Sequence, residues 1–356
     1  MSASPTRRLE RARARSGAAA IETIETIDSH AAGEPLRIVV SGYPELPGAT
    51  ILDKRNVALE RYDHLRRSLM LEPRGHPDMY GCLITDPATP DGDFGVIFLH
   101  NEGYSTMCGH GIVAVVTVGI ECSLIAPRDH RAIAIDTPAG RVVASARMEG
   151  DRVAAVSFRN VPSFVLHHGI EVAVDGVGLV RCDIAFGGAF YACVELARNP
   201  ALAGLELAPE RYAEIIDLGR RLKHTVAGAV PIRHPAGDPE LGFLYGTILV
   251  APSPADGVHS RNACVFADGQ VDRSPTGTGV SARIAIHHAR GEAALGETLE
   301  IDSLIGSRFA VRALEETAVG GLPAVVPEVT GSAFVIGHNR WLLDPQDPLG
   351  GGFLLR

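Results

Sequence analysis

The chain has 356 residues, of which 46% are hydrophobic and 21% charged, the balance of a globular protein with room for two domains. A formal net charge of −9 and an aromatic content of 5% argue against a surface that tracks phosphates or stacks bases, so no nucleic-acid partner is expected. Six scattered cysteines form no C-x-x-C pair, so no metal centre is expected, and no apolar run reaches the length of about 18 residues that suggests a membrane span. Free thiols in a chain of this size point to a reducing, cytoplasmic setting.

Along the chain, residues 1–20 gather Arg7, Arg8, Arg11, Arg13 and Arg15 against the single acid Glu10. Without an apolar stretch this is not a secretory signal, and a flexible extension is expected. Strand patterns follow at 35–40, 95–99, 132–136, 141–146, 153–158 and 243–250, rich in β-branched residues and bounded by Gly, Pro or Asp. Helical spacing occurs at 52–70 and 210–223. Two shorter apolar segments, 109–119 and 277–288, each follow a small polar turn. With 39 glycines and 23 prolines, a strand-rich architecture is favoured over a helical bundle.

The two apolar segments open with copies of one motif. CGHGIVA at 108–114 aligns without gaps on TGTGVSA at 276–282, an offset of 276 − 108 = 168 residues. GEPLRIVV at 33–40 and GAFYACVE at 188–195 precede their motifs by 75 and 88 residues. A long period that occurs twice indicates a duplicated domain rather than a solenoid. Halves at 21–185 and 186–356 are expected, with a linker near 175–187, a cleft between them and the last strands free to return to the first half.

The motif has a chemical logic. Glycines at 109 and 111 let the chain turn sharply into a helix whose first amides are unpaired. Such a helix start binds an anion, here a carboxylate, and lowers the pKa of a thiol at Cys108. The second copy repeats the amides at Gly277 and Thr278 but carries Thr276 where a second thiol could stand.

HNEGYSTMCGHG at 100–111, VDRSPTGTGVSAR at 271–283, TIDSHAAGEP at 26–35 and DPLGGGF at 347–353 together resemble the signatures of the proline racemase family over residues 24–353. That family includes proline racemases, 4-hydroxyproline epimerases and trans-3-hydroxy-L-proline dehydratases. The resemblance implies an α+β fold of the diaminopimelate-epimerase kind, two similar β-barrel-type halves each around a central helix, with the active site in the cleft. It implies a small imino acid as substrate and no cofactor; a homodimer is the one assembly considered. By position it makes Cys108 the catalytic base, Gly109 and His110 substrate-holding, Asp272 the ligand of the ring nitrogen, and Gly277 and Thr278 the ligands of the carboxylate. Thr276, catalytic in position, departs from the racemases and epimerases, which carry cysteine there, and matches the dehydratase branch. The expected reaction is therefore dehydration of trans-3-hydroxy-L-proline to Δ1-pyrroline-2-carboxylate, with proline racemisation or 4-hydroxyproline epimerisation as the alternative. His167-His168 and His287-His288 lack acidic neighbours at ligating spacing, so no metal is assigned to them.

Overall fold

A computed structural model describes residues 22–237 and 241–355. The extension expected at 1–20 lies outside the described residues.

The first half runs β1 (Glu22–Ala31), β2 (Glu34–Ser41), α1 (Ile51–Met70), β3 (Tyr80–Thr85), β4 (Phe94–His100), β5 (Gly103–Ser105), α2 (Gly109–Glu121), β6 (Ile133–Thr137), β7 (Gly140–Glu149) and β8 (Arg152–Arg159). The second runs β9 (Ser163–Val174), β10 (Gly178–Phe186), β11 (Phe190–Glu195), α3 (Tyr212–Ala229), β12 (Leu244–Ala251), β13 (Ser260–Phe266), β14 (Gln270–Val271), α4 (Gly277–Ala289), β15 (Thr298–Asp302), β16 (Arg308–Val319), β17 (Leu322–Gly331) and β18 (Ala333–Leu343).

The stretch expected as a linker near 175–187 is instead mostly strand β10, because Gly176 and Gly178 turn a hairpin from β9, so the second half begins at β9 and not at residue 186. The pairing repeats between halves. The parallel pair β2 and β3 is bridged by α1, as the parallel pair β11 and β12 is bridged by α3. The parallel pair β4 and β6 spans α2, and the parallel pair β13 and β15 spans α4. Parallel neighbours require such crossovers, so each half folds its strands around a helix. α2 and α4 are buried on all sides through their first eleven residues, Gly109 to Gly119 and Gly277 to His287. α2 is apolar around most of its circumference, as suits a helix enclosed by strands, whereas α4 also buries polar side chains that find partners, Arg283 donating to Asn262 Oδ1 at 2.8 Å and Ser281 to the Gly277 carbonyl at 2.8 Å. The surface helix α1 is held differently: Thr50 Oγ1 accepts the Asp53 N–H and the Asp53 carboxylate accepts the Thr50 N–H, each at 3.0 Å.

The chain then closes on itself. β18 returns to pair with β1 from Glu22↔Leu343 to Ala31↔Ala333, and β17 pairs with β8. One continuous core takes Ile112 and Val116 of α2 together with Val280 and Ile284 of α4. The cleft between the halves is thus built on a shared interior, which fixes the two motif turns relative to one another.

Candidate active site

α2 and α4 meet start to start. A methyl group on Gly109 would lie 2.6 Å from the Gly277 Cα, and one on Gly277 would lie 2.7 Å from the Gly109 Cα. Only glycine permits this approach of two backbones. The Phe158 ring closes the floor beneath both. Cys108 and Thr276 stand immediately ahead of the two helices and line a tight cavity of about 30 Å3. Cys108, Gly109, His110, Asp272, Thr276, Gly277 and Thr278 all line that cavity. Two sets of helix-start amides converge there, a site suited to a carboxylate.

The two copies differ at their first residue. Cys108 is extended (φ −147°, ψ 116°), and its Sγ caps its own helix by accepting the Gly111 N–H at 3.3 Å. Thr276 has φ +68°, a conformation costly for a β-branched side chain, and caps nothing. Its Oγ1 is buried and faces the buried Cys264 thiol, whose pKa it lowers against the larger rise from burial.

The state of the Cys108 thiol differs from the expectation. Burial outweighs the lowering by the Gly111 N–H at the helix start and pushes the thiol well up, with the charge of Asp272 adding to the rise. Local backbone geometry predicts the lowering; the enclosure that reverses it is tertiary. His110 Nδ1 lies 3.2 Å from Cys108 Sγ, and burial lowers the imidazole's own pKa. The unliganded pair is therefore thiol and neutral imidazole, with a ring nitrogen placed to take the S–H proton. A cation placed beside Asp272 would cancel the charge that helps to hold the proton on sulfur.

This has a measurable consequence. A thiol pKa raised above its ordinary 9.0 means that the thiolate fraction of the free enzyme grows with pH across neutrality and beyond. A plot of log(kcat/KM) against pH should climb through that range. A flat or falling profile contradicts a Cys108 base.

Several lining residues were not legible as site residues. Tyr80, Met107, Tyr191, Tyr245 and Phe266 complete the wall. Tyr191 Oη pairs with Thr278 Oγ1 at 2.7 Å, and Tyr80 Oη with Ser105 Oγ at 2.6 Å. Tyr245 stacks on Phe266 with centroids 5.4 Å apart. Tyr191 does fall in the repeated 188–195 segment, the one signal that could have marked it. Asp272 is buried; its Oδ1 accepts the Ser274 N–H at 2.7 Å. Among the described residues no group of three His, Cys, Asp or Glu side chains is arranged to hold a metal ion. No described helix is long and apolar enough to cross a membrane.

Fold and cavity together define an enzyme-like scaffold of the diaminopimelate-epimerase kind, α+β with two similar halves, a fold also found in a phenazine biosynthesis protein family structure. The family described as proline racemase matches residues 26–354, and the chain belongs to that family. Its relatives include a protein of Colwellia psychrerythraea named trans-3-hydroxy-L-proline dehydratase, 49% identical over 94% of this chain and 93% of that one. A protein of Burkholderia multivorans named 3-hydroxyproline 2-epimerase is 45% identical over 94% of this chain and 98% of that one. A crystal structure of a hydroxyproline epimerase from Agrobacterium vitis with bound trans-4-hydroxy-L-proline superposes with a TM-score of 0.84, at 32% identity over 94% of this chain and 96% of that one.

Proposed function

We propose that the protein is a dehydratase that removes water from trans-3-hydroxy-L-proline to give Δ1-pyrroline-2-carboxylate. The observation that carries this reading is the unequal pair across the glycine junction: a thiol at Cys108 and a hydroxyl at Thr276. Racemisation needs a base on one face of the α-carbon and an acid on the other. An alkyl hydroxyl is a far poorer acid and base than a thiol, and the group beside Thr276 Oγ1 is the Cys264 thiol, which burial keeps protonated and unfit to activate it.

Dehydration of this substrate needs one such group. The 3-hydroxyl is trans to the carboxylate, so it shares a face with the α-hydrogen, and loss of water is a syn process. Cys108 as thiolate takes the α-proton and becomes a thiol. The developing negative charge is stabilised at the carboxylate by the amides of Gly109, His110, Gly277 and Thr278. Asp272 holds the ring nitrogen. The thiol proton then passes to the departing hydroxyl, which leaves as water. The enamine so formed tautomerises to the cyclic imine. The names carried by relatives at 43–49% identity, among them proteins of Colwellia psychrerythraea and Burkholderia ambifaria named for this dehydratase, support the same reading.

The Burkholderia multivorans and Agrobacterium vitis relatives keep epimerisation as the second reading. Incubating the pure protein separately with trans-3-hydroxy-L-proline, trans-4-hydroxy-L-proline and L-proline separates the two. A pyrroline from the first substrate, with unchanged optical rotation of the other two, is expected. Inversion of any substrate without a pyrroline product overturns the dehydratase reading.

A further inference from the structure

Beside Asp272 lies a carboxyl group that the chemistry above does not use. Glu34, on β2 of the Cys108-bearing half, is fully buried, and its Oε2 accepts the Arg273 backbone N–H of the other half at 2.7 Å. Asp272 Oδ1 accepts the next amide, that of Ser274, also at 2.7 Å. Two carboxyl groups thus occupy neighbouring amides of one buried turn. The cation of that turn is engaged elsewhere: Arg273 Nη1 donates to Asp78 Oδ2 at 2.7 Å and to the Val271 carbonyl at 2.8 Å. Asp78 also accepts the Tyr212 hydroxyl at 3.0 Å.

Glu34 Oε1 is buried with no hydrogen-bond partner. A carboxylate oxygen stripped of water and left without a donor buries a charge, whereas a neutral acid buries none and needs its carbonyl oxygen satisfied, at the lesser cost of one hydroxyl without an acceptor. Oε2 meets that need and leaves Oε1 to carry the proton. The titratable and charged groups that face Glu34 are Asp272 and Arg273 on the turn, Asp78 ahead of β3, Cys108 ahead of α2 and Cys264 in β13. Burial raises the carboxyl well above its usual range, the Asp272 charge adds to this, and Arg273 opposes it. Two like charges on one buried turn resolve in the same way: one keeps a proton.

We propose that Glu34 is a positioning residue that works as a neutral acid, with its carbonyl oxygen tying the 272–274 turn to the Cys108 half and its proton leaving Asp272 as the one net charge offered to the substrate's ring nitrogen. This rests on the reading that Asp272 meets that nitrogen.

The test joins a spectroscopic and a kinetic arm. At neutral pH, infrared difference spectra of wild type against Glu34→Gln should show a protonated-carboxyl C=O band that the variant lacks. Glutamine keeps a carbonyl acceptor and no charge, so Glu34→Gln should retain KM and kcat within a few fold. Glu34→Leu removes the acceptor and should raise KM by about tenfold or more, with a smaller change in kcat. Absence of the band, or a Glu34→Gln variant as impaired as Glu34→Leu, overturns the neutral acid. An unchanged KM in Glu34→Leu overturns the positioning role. If Glu34→Leu does not fold, the infrared band and the glutamine variant still decide. The infrared arm needs no substrate, so it stands or falls separately from the dehydratase reading.

Discussion

Replacing Cys108 with serine should lower turnover by about 10²–10⁴-fold, the usual contribution of a general base. The substitution isolates the proton chemistry because it spares the structure. The Cys108 side chain caps α2 through the Gly111 N–H, and serine is among the preferred residues for that duty. The thermal midpoint of Cys108→Ser should therefore match wild type within a few degrees. What serine loses is the reach to a usable anion: on the proposed mechanism a thiol lifted above its ordinary pKa is still deprotonated when His110 takes the proton and a ring cation neutralises Asp272. An alcohol in the same enclosure cannot. Near-normal turnover in a folded Cys108→Ser removes this residue from the mechanism.

Gly277→Ala should act through geometry alone, and nearly as strongly. The added methyl would stand 2.7 Å from the Gly109 Cα and 3.2 Å from its carbonyl carbon. Both are backbone atoms at the start of a buried helix, so no side chain can swing aside. The Phe158 ring at 3.4 Å closes the remaining direction. The two helix starts must separate, at a cost of about 1–3 kcal/mol in stability. They carry with them both sets of helix-start amides and the Cys108 and Thr276 side chains. A displacement near 1 Å at reacting groups costs about 10²-fold in rate. Gly204→Ala serves as control, because a methyl there meets nothing within 4 Å. Denaturant melts and steady-state kinetics on both variants check this. A Gly277→Ala enzyme with wild-type stability and activity means that the close junction of the helices is not required.

The site was legible where it depends on local backbone and on repetition. The motif copies at 108–114 and 276–282 marked both central helices, because a glycine-rich turn entering an apolar segment is a local signal. Strand interiors were readable for the same reason. The pattern at 95–99 became Phe94–His100, an ordinary end effect. The surface helix read at 210–223 starts at Tyr212 and runs on to Ala229, since burial of Val226 extends it past the charged face that defined the pattern.

What the sequence could not disclose depends on groups meeting across the fold. The enclosure that raises the Cys108 thiol comes from residues of both halves. His110 is recognisable in its motif, but its 3.2 Å approach to Cys108 Sγ follows only from the helix start. Tyr80, Tyr191 and Tyr245 come from three separate strands, and an overall aromatic content of 5% hides their convergence on one cavity. Glu34 lies 238 positions from Asp272 in the chain, and no spacing rule links two residues so far apart.

The central claim is that a single thiol both opens and completes the elimination, and Thr276→Ala tests it most directly. Thr276 Oγ1 has only the Cys264 thiol beside it, so alanine forfeits at most one weak contact, and truncation also relieves a β-branched side chain held at φ +68°. With trans-3-hydroxy-L-proline as substrate, the account predicts that Thr276→Ala retains most of the wild-type rate of pyrroline formation. A variant that is folded and binds the substrate but forms no pyrroline contradicts it, and makes the Thr276 hydroxyl the missing acid.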